Sequence, residues 1–99
     1  MSDQLEGHTR LHIRVTGRVQ GVGFRAFVSQ QAQMLGLKGW VRNVGYSQVE
    51  ALAEGPRPAL ARFVEIVQRG PTAARVDESI LDWYPPTGEF TAFEVRRSL

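Results

Sequence analysis

The chain has 99 residues, no cysteine, 42% hydrophobic and 22% charged residues, and a formal net charge of +2. That length sets one domain with one core, and the balanced composition excludes a chain too polar to fold. The missing cysteines exclude disulfides, thiolate metal ligands and thiol nucleophiles, and no apolar run is long enough to cross a bilayer.

Of the 12 basic residues only Lys38 is lysine, which reconciles the small net charge with a sequence pI of about 9.7. A positive excess this slight suits small anions. It gives no clustered basic face of the kind nucleic acid requires. Residues 1–9 are polar, lack the apolar stretch of a secretion signal and are expected to form a loose tail. Residues 10–99 are then a single domain, expected to be a cytoplasmic monomer.

In chain order, Leu11, Ile13 and Val15 alternate with His12, Arg14 and Thr16, the pattern of a half-buried strand. Phe24, Val28, Ala32 and Leu35 recur at helical spacing, and Gly36 is a suitable stop. Residues 38–44 and 48–54 read as two strands of a hairpin. Gly55-Pro56-Arg57-Pro58 breaks that pattern, and Pro58 suits the first turn of a second helix. Leu60, Phe63, Val64 and Val67 line one face of it, and Gly70-Pro71 ends it. Residues 76–84 are strand-like, 85–88 form a loop, and Phe93 and Val95 are expected to point inward from a short closing strand. The order is β-α-β-β-α-β, an α+β, ferredoxin-like split βαβ plan with two helices on one face of an antiparallel sheet. That plan hosts many unrelated activities.

Two segments carry chemistry. Between the first strand and first helix the chain reads GRVQGVGFR over residues 17–25. Its glycines let the backbone turn sharply and aim successive N–H groups into one concavity, next to the donors of a helix N-terminus. The backbone of Val19, Gln20, Gly21, Val22, Gly23 and Phe24 would form this cradle, and Arg25 adds a forked cation. Such a site suits a dianionic phosphoryl group. The second segment is GWVRN over residues 39–43. Strand alternation puts Gly39, Val41 and Asn43 on the helix side and Trp40 and Arg42 on the other. This strand is expected to run back antiparallel after the first helix, bringing Asn43 at its end to the loop after strand one.

Arg25 and the loop donors compensate charge on a transferring phosphoryl group, and the Asn43 amide can hold a water in line with phosphorus. Asparagine is a poor general base, so the substrate needs a good leaving group, and an acyl phosphate supplies one. A phosphate ester would demand an acid, a nucleophile or metals, and no such set stands out. His8 falls in the expected tail and His12 on the open sheet face, so they make no metal site. Glu50, Glu54, Asp77, Glu78 and Asp82 read as solvated charges.

In these two segments, and in Val49-Glu50, Gly55 and the closing Thr87-Gly88-Glu89-Phe90, the chain resembles the acylphosphatase family over about residues 11–97. The resemblance implies a small ferredoxin-like hydrolase of carboxyl-phosphate bonds, acting on small acyl phosphates without metal or other cofactor. It implies that Arg25 is the phosphate-binding arginine, Asn43 the water-orienting asparagine and residues 19–24 the phosphate loop. One departure is visible. Tyr46 and Ser47 stand where the family has an acidic residue and glycine in the turn after the second strand. Neither favours positive φ, which leaves Gly45 to supply it.

Two other classes share these features. An RNA-binding module of the same fold would stack bases on Trp40, Trp83 or Tyr84 beside Arg14 and Arg42, although its aromatic-rich strand motif is missing. A non-catalytic anion-binding domain would keep the cradle without turnover. An assay separates it from an enzyme.

Overall fold

The structure, a computed structural model, describes residues 7–99. Its elements are β1 His8–Arg18, α1 Phe24–Met34, β2 Lys38–Val44, β3 Gln48–Pro56, α2 Arg57–Arg69, β4 Arg75–Tyr84 and β5 Phe93–Val95. β1 starts earlier than its apolar alternation suggests. His8 pairs with Pro56 and Thr9 with Gly55, so two residues expected in the tail are strand. Gly7 precedes the strand as a turn, and residues 1–6 of that expected tail lie outside the described residues.

Period-two alternation builds the inner face of the sheet. Leu11, Ile13 and Val15 of β1, Val41 of β2 and Val49, Ala51 and Ala53 of β3 are all buried. Each helix buries one stripe onto that face: Phe24, Val28 and Ala32 from α1, Leu60, Phe63 and Val67 from α2. Pro58 sits in the first turn of α2, where its missing N–H costs no hydrogen bond.

The strand order is β4-β1-β3-β2-β5. The first four strands are antiparallel neighbours, as expected. β5 instead runs parallel to β2, with Gly39 opposite Phe93 and Val41 opposite Val95, so the whole sheet is mixed. After β4, on one edge, the chain crosses below the sheet and returns upward on the other edge.

A second correction concerns β2. It does not run antiparallel to β1. Both strands are antiparallel to β3, which lies between them, so β1 and β2 run in the same direction and end at the same rim. That shared direction brings the loop after β1 and the end of β2 together. β5 lies under α1, the Phe63 and Phe93 rings meet edge-on at 6.1 Å and tie it to α2 across the core, and β5 then delivers Val95 to the same rim.

The β2–β3 connection is a three-residue loop, because Val44 pairs with Gln48. Gly45 takes φ 58°, and no non-glycine residue among those described has positive φ. Gly45 therefore performs the turn that Tyr46 and Ser47 would resist, and Tyr46 points into solvent.

Candidate active site

The loop after β1 reverses through two left-handed glycines, Gly21 at φ 72° and Gly23 at φ 74°, a conformation costly for any residue with a Cβ. Gly23 is the N-cap of α1, and Phe27 N–H reaches back to its carbonyl at 3.0 Å. The N–H groups of Phe24, Arg25 and Ala26 have no acceptor within the helix. No side chain caps them, and no acidic residue occupies the first turn. The helix thus presents its positive end without an anion of its own.

A cavity of about 290 Å³ opens over these donors, lined by the 19–21 and 23–26 segments, Asn43 and Val95. Three separate elements contribute to it: the loop and α1, the end of β2, and the end of β5. No carboxylate lines it, so nothing there offsets the Arg25 charge. Val22 is the one residue of the expected cradle outside the lining, and it packs partly buried against the core. The Phe24 side chain is core, so this residue faces the cavity with its backbone.

Arg25 is half-buried, and its Nη1 donates to the Arg96 carbonyl at 3.4 Å. Asn43 is half-buried on the helix-facing side of β2, opposite the buried Val49 of β3. On the other edge of β2, Arg96 N–H donates to the Val41 carbonyl at 2.8 Å and Leu99 N–H to the Asn43 carbonyl at 2.9 Å. The Asn43 backbone is therefore gripped from both sides.

The family model for acylphosphatase matches residues 11–95. The chain belongs to the acylphosphatase family. It is 47% identical over 87 residues to an acylphosphatase of Anaeromyxobacter dehalogenans, covering 88% of this chain and 94% of that one. It is similar in structure to the acylphosphatase of Bacillus subtilis, with TM-score 0.85 and 40% identity over 89% of this chain and 98% of that one. The acylphosphatase from Coxiella burnetii superposes with TM-score 0.90 at 33% identity, over 97% of this chain and all 100% of that one.

Several features of this acylphosphatase escape a reading of the residues alone. Val95 shares the helix-side face of β5 with Phe93 but is not buried. It is 49% exposed and forms an apolar wall of the cavity. Trp40, a candidate for base stacking on the open face, is only 8% exposed. The guanidinium carbons of Arg42 and Arg96 lie 4.6 and 5.3 Å from its ring centre. Trp83 lies on the helix side, packed against the core, with Arg57 over its ring at 3.8 Å. Of the three aromatics considered for base stacking, Tyr84 alone is an exposed one.

Glu50 and Glu54 are not solvated charges. Glu50 accepts from Arg42 Nε at 2.7 Å and lies 2.6 Å from His12 Nε2, on the open face where His12 was expected. Glu54 is 6% exposed and accepts from Arg10 Nε at 2.6 Å and from the backbone N–H groups of Thr87 and Gly88, each at 2.9 Å. This cluster sits at the rim opposite the cavity and fastens the crossing segment between β4 and β5. Paired strand alternation could place Glu54 on the open face, but its cover comes from residues more than thirty positions later.

Proposed function

We propose that this acylphosphatase domain hydrolyses small acyl phosphates by in-line attack of water, using neither metal nor cofactor. The observation that carries the proposal is the meeting of Arg25, the free helix donors and Asn43 in one cavity without a carboxylate. The phosphoryl oxygens lie on the loop and helix N–H groups, and Arg25 neutralises them as charge shifts. The Asn43 carboxamide holds the attacking water opposite the leaving oxygen. The water oxygen bonds to phosphorus, the bond from phosphorus to the acyl oxygen breaks, and the carboxylate leaves. The water proton passes to a phosphoryl oxygen of the substrate, so inorganic phosphate is the second product.

Among the described residues no group of three His, Asp or Glu side chains could hold a metal ion, which suits chemistry driven by positioning and charge. The cysteine-free chain suits the reducing cytoplasm, and a monomer is sufficient because one chain supplies the whole cavity.

The test is benzoyl phosphate hydrolysis with and without a chelator, repeated on two variants. Chelation should leave the rate unchanged, and loss restored by added metal would refute the metal-free mechanism. Arg25→Ala should weaken inorganic phosphate binding and abolish turnover. Asn43→Ala should lower kcat by roughly 10²–10³-fold, the size expected for removing one positioned polar group, with little change in phosphate affinity. The opposite pattern would exchange the two roles.

A further inference from the structure

Gln20 lies in the phosphate loop and lines the cavity. Its side-chain amide reaches the β2–β3 connection. There Nε2 donates to the Gln48 carbonyl at 3.0 Å, the Gly45 carbonyl at 3.1 Å and the Val44 carbonyl at 3.4 Å. One amide nitrogen with two hydrogens thus serves three carbonyls, and at least one of its bonds is shared. Val44 directly follows Asn43, and Gln48 is its cross-strand partner. The brace therefore joins the loop that carries the phosphate donors to the turn just after Asn43. A second bond, from Gly17 N–H to the Ser47 carbonyl at 3.0 Å, joins the same two segments further from the cavity.

We infer that Gln20 is a positioning residue for hydrolysis: its side-chain amide sets the separation between the phosphate cradle and the Asn43 carboxamide. The inference rests on the water-orienting role proposed for Asn43. Arg25 and the helix donors belong to the same segment as the cradle, so loosening the brace leaves phosphate binding intact. What slips is the water held by Asn43 relative to phosphorus. An error of about 1 Å in such a placement can cost as much as a hundredfold in rate.

Two substitutions test the brace. Gln20→Met keeps the length and removes the donor. It should lower kcat on benzoyl phosphate by roughly tenfold to a hundredfold while inorganic phosphate inhibits at nearly the wild-type concentration. Added to Asn43→Ala, the same change should cost little more, because the water it positions is already lost. Full additivity of the two changes, or a matching loss of phosphate affinity, overturns the brace. If Asn43→Ala alone leaves kcat unchanged, the proposed role of Asn43 fails instead.

Gln20→Glu supplies an independent readout. Its ionised carboxylate faces three carbonyls and can donate nothing, whereas the protonated acid donates one hydrogen. The rate of Gln20→Glu relative to wild type should rise as pH falls through the ordinary carboxyl range near 4.3. It should stay level for Gln20→Met. A flat ratio for Gln20→Glu overturns the inference even if Gln20→Met folds poorly.

Discussion

The guanidinium of Arg25, second residue of α1, donates to the Arg96 carbonyl in the segment after β5, 3.4 Å away. A helix that begins after β1 and a segment that closes the sheet on its far edge thus share one cation. The contact aims Arg25 across the cavity mouth while leaving most of its donors for an anion. Arg25→Lys keeps the charge but loses the planar fork that can hold two oxygens and the carbonyl together. It should reduce kcat/KM on benzoyl phosphate by about 10²-fold or more with an unchanged circular dichroism spectrum. Near-wild-type activity would mean that charge alone suffices.

Val95 is an apolar wall of the cavity, half-exposed at its rim, and on the proposed reading it faces the acyl end of the substrate. Val95→Asp should cost more in kcat/KM for benzoyl phosphate than for acetyl phosphate, because the larger acyl group loses more apolar contact. Measuring both substrates on both proteins gives the ratio. An equal loss would place the acyl group elsewhere.

Glu54 should give a pH-dependent stability. Burial pushes its carboxyl up, but the Thr87 and Gly88 N–H groups, Arg10 and the Thr87 hydroxyl outweigh burial and hold it below the usual 4.5. A carboxyl lowered in the folded state stabilises the fold above its unfolded value, and that stability is lost as pH falls through the folded value. Glu54→Gln should destabilise at pH 7 by about 2–3 kcal/mol. The difference in Tm from wild type should narrow as pH falls below 4.5, the carboxyl's ordinary value. A difference independent of pH would separate the carboxylate from this stability.

Trp40 should behave as a packed residue rather than a stacking platform, since Arg42 and Arg96 cover it. Trp40→Ala should lower stability by roughly 3 kcal/mol, and wild type should show no RNA binding in a titration at moderate salt. Salt-dependent RNA binding lost with Trp40 would revive that role for the open face.

Much of this was legible in the residues because it is local. Alternation placed Val41 and Asn43 on the helix side, Pro58 and Gly36 marked helix ends, and Gly45 was the residue near the turn free to take positive φ. The two motifs named Arg25 and Asn43 as partners, and the cavity brings them together. What was not legible depends on residues distant in sequence. Alternation assigns a face but not what covers it, so Glu54 and Trp40 read as open until the 87–88 backbone and Arg96 come over them. Val95 shares its face with Phe93, yet it stands past the end of the core, where the cavity begins. The Gln20 side chain reads as one more loop residue, because its acceptors lie across the rim in another turn.

The central claim is that the cavity suits a phosphoryl group on a good leaving group and lacks the acid, nucleophile or metal that a phosphate ester requires. The direct measurement is kcat/KM for benzoyl phosphate beside that for a phosphate monoester such as phenyl phosphate, at the same pH and with chelator present. Benzoyl phosphate should be hydrolysed, and the monoester should give no enzyme-dependent rate. Equal or faster hydrolysis of the monoester would contradict the claim.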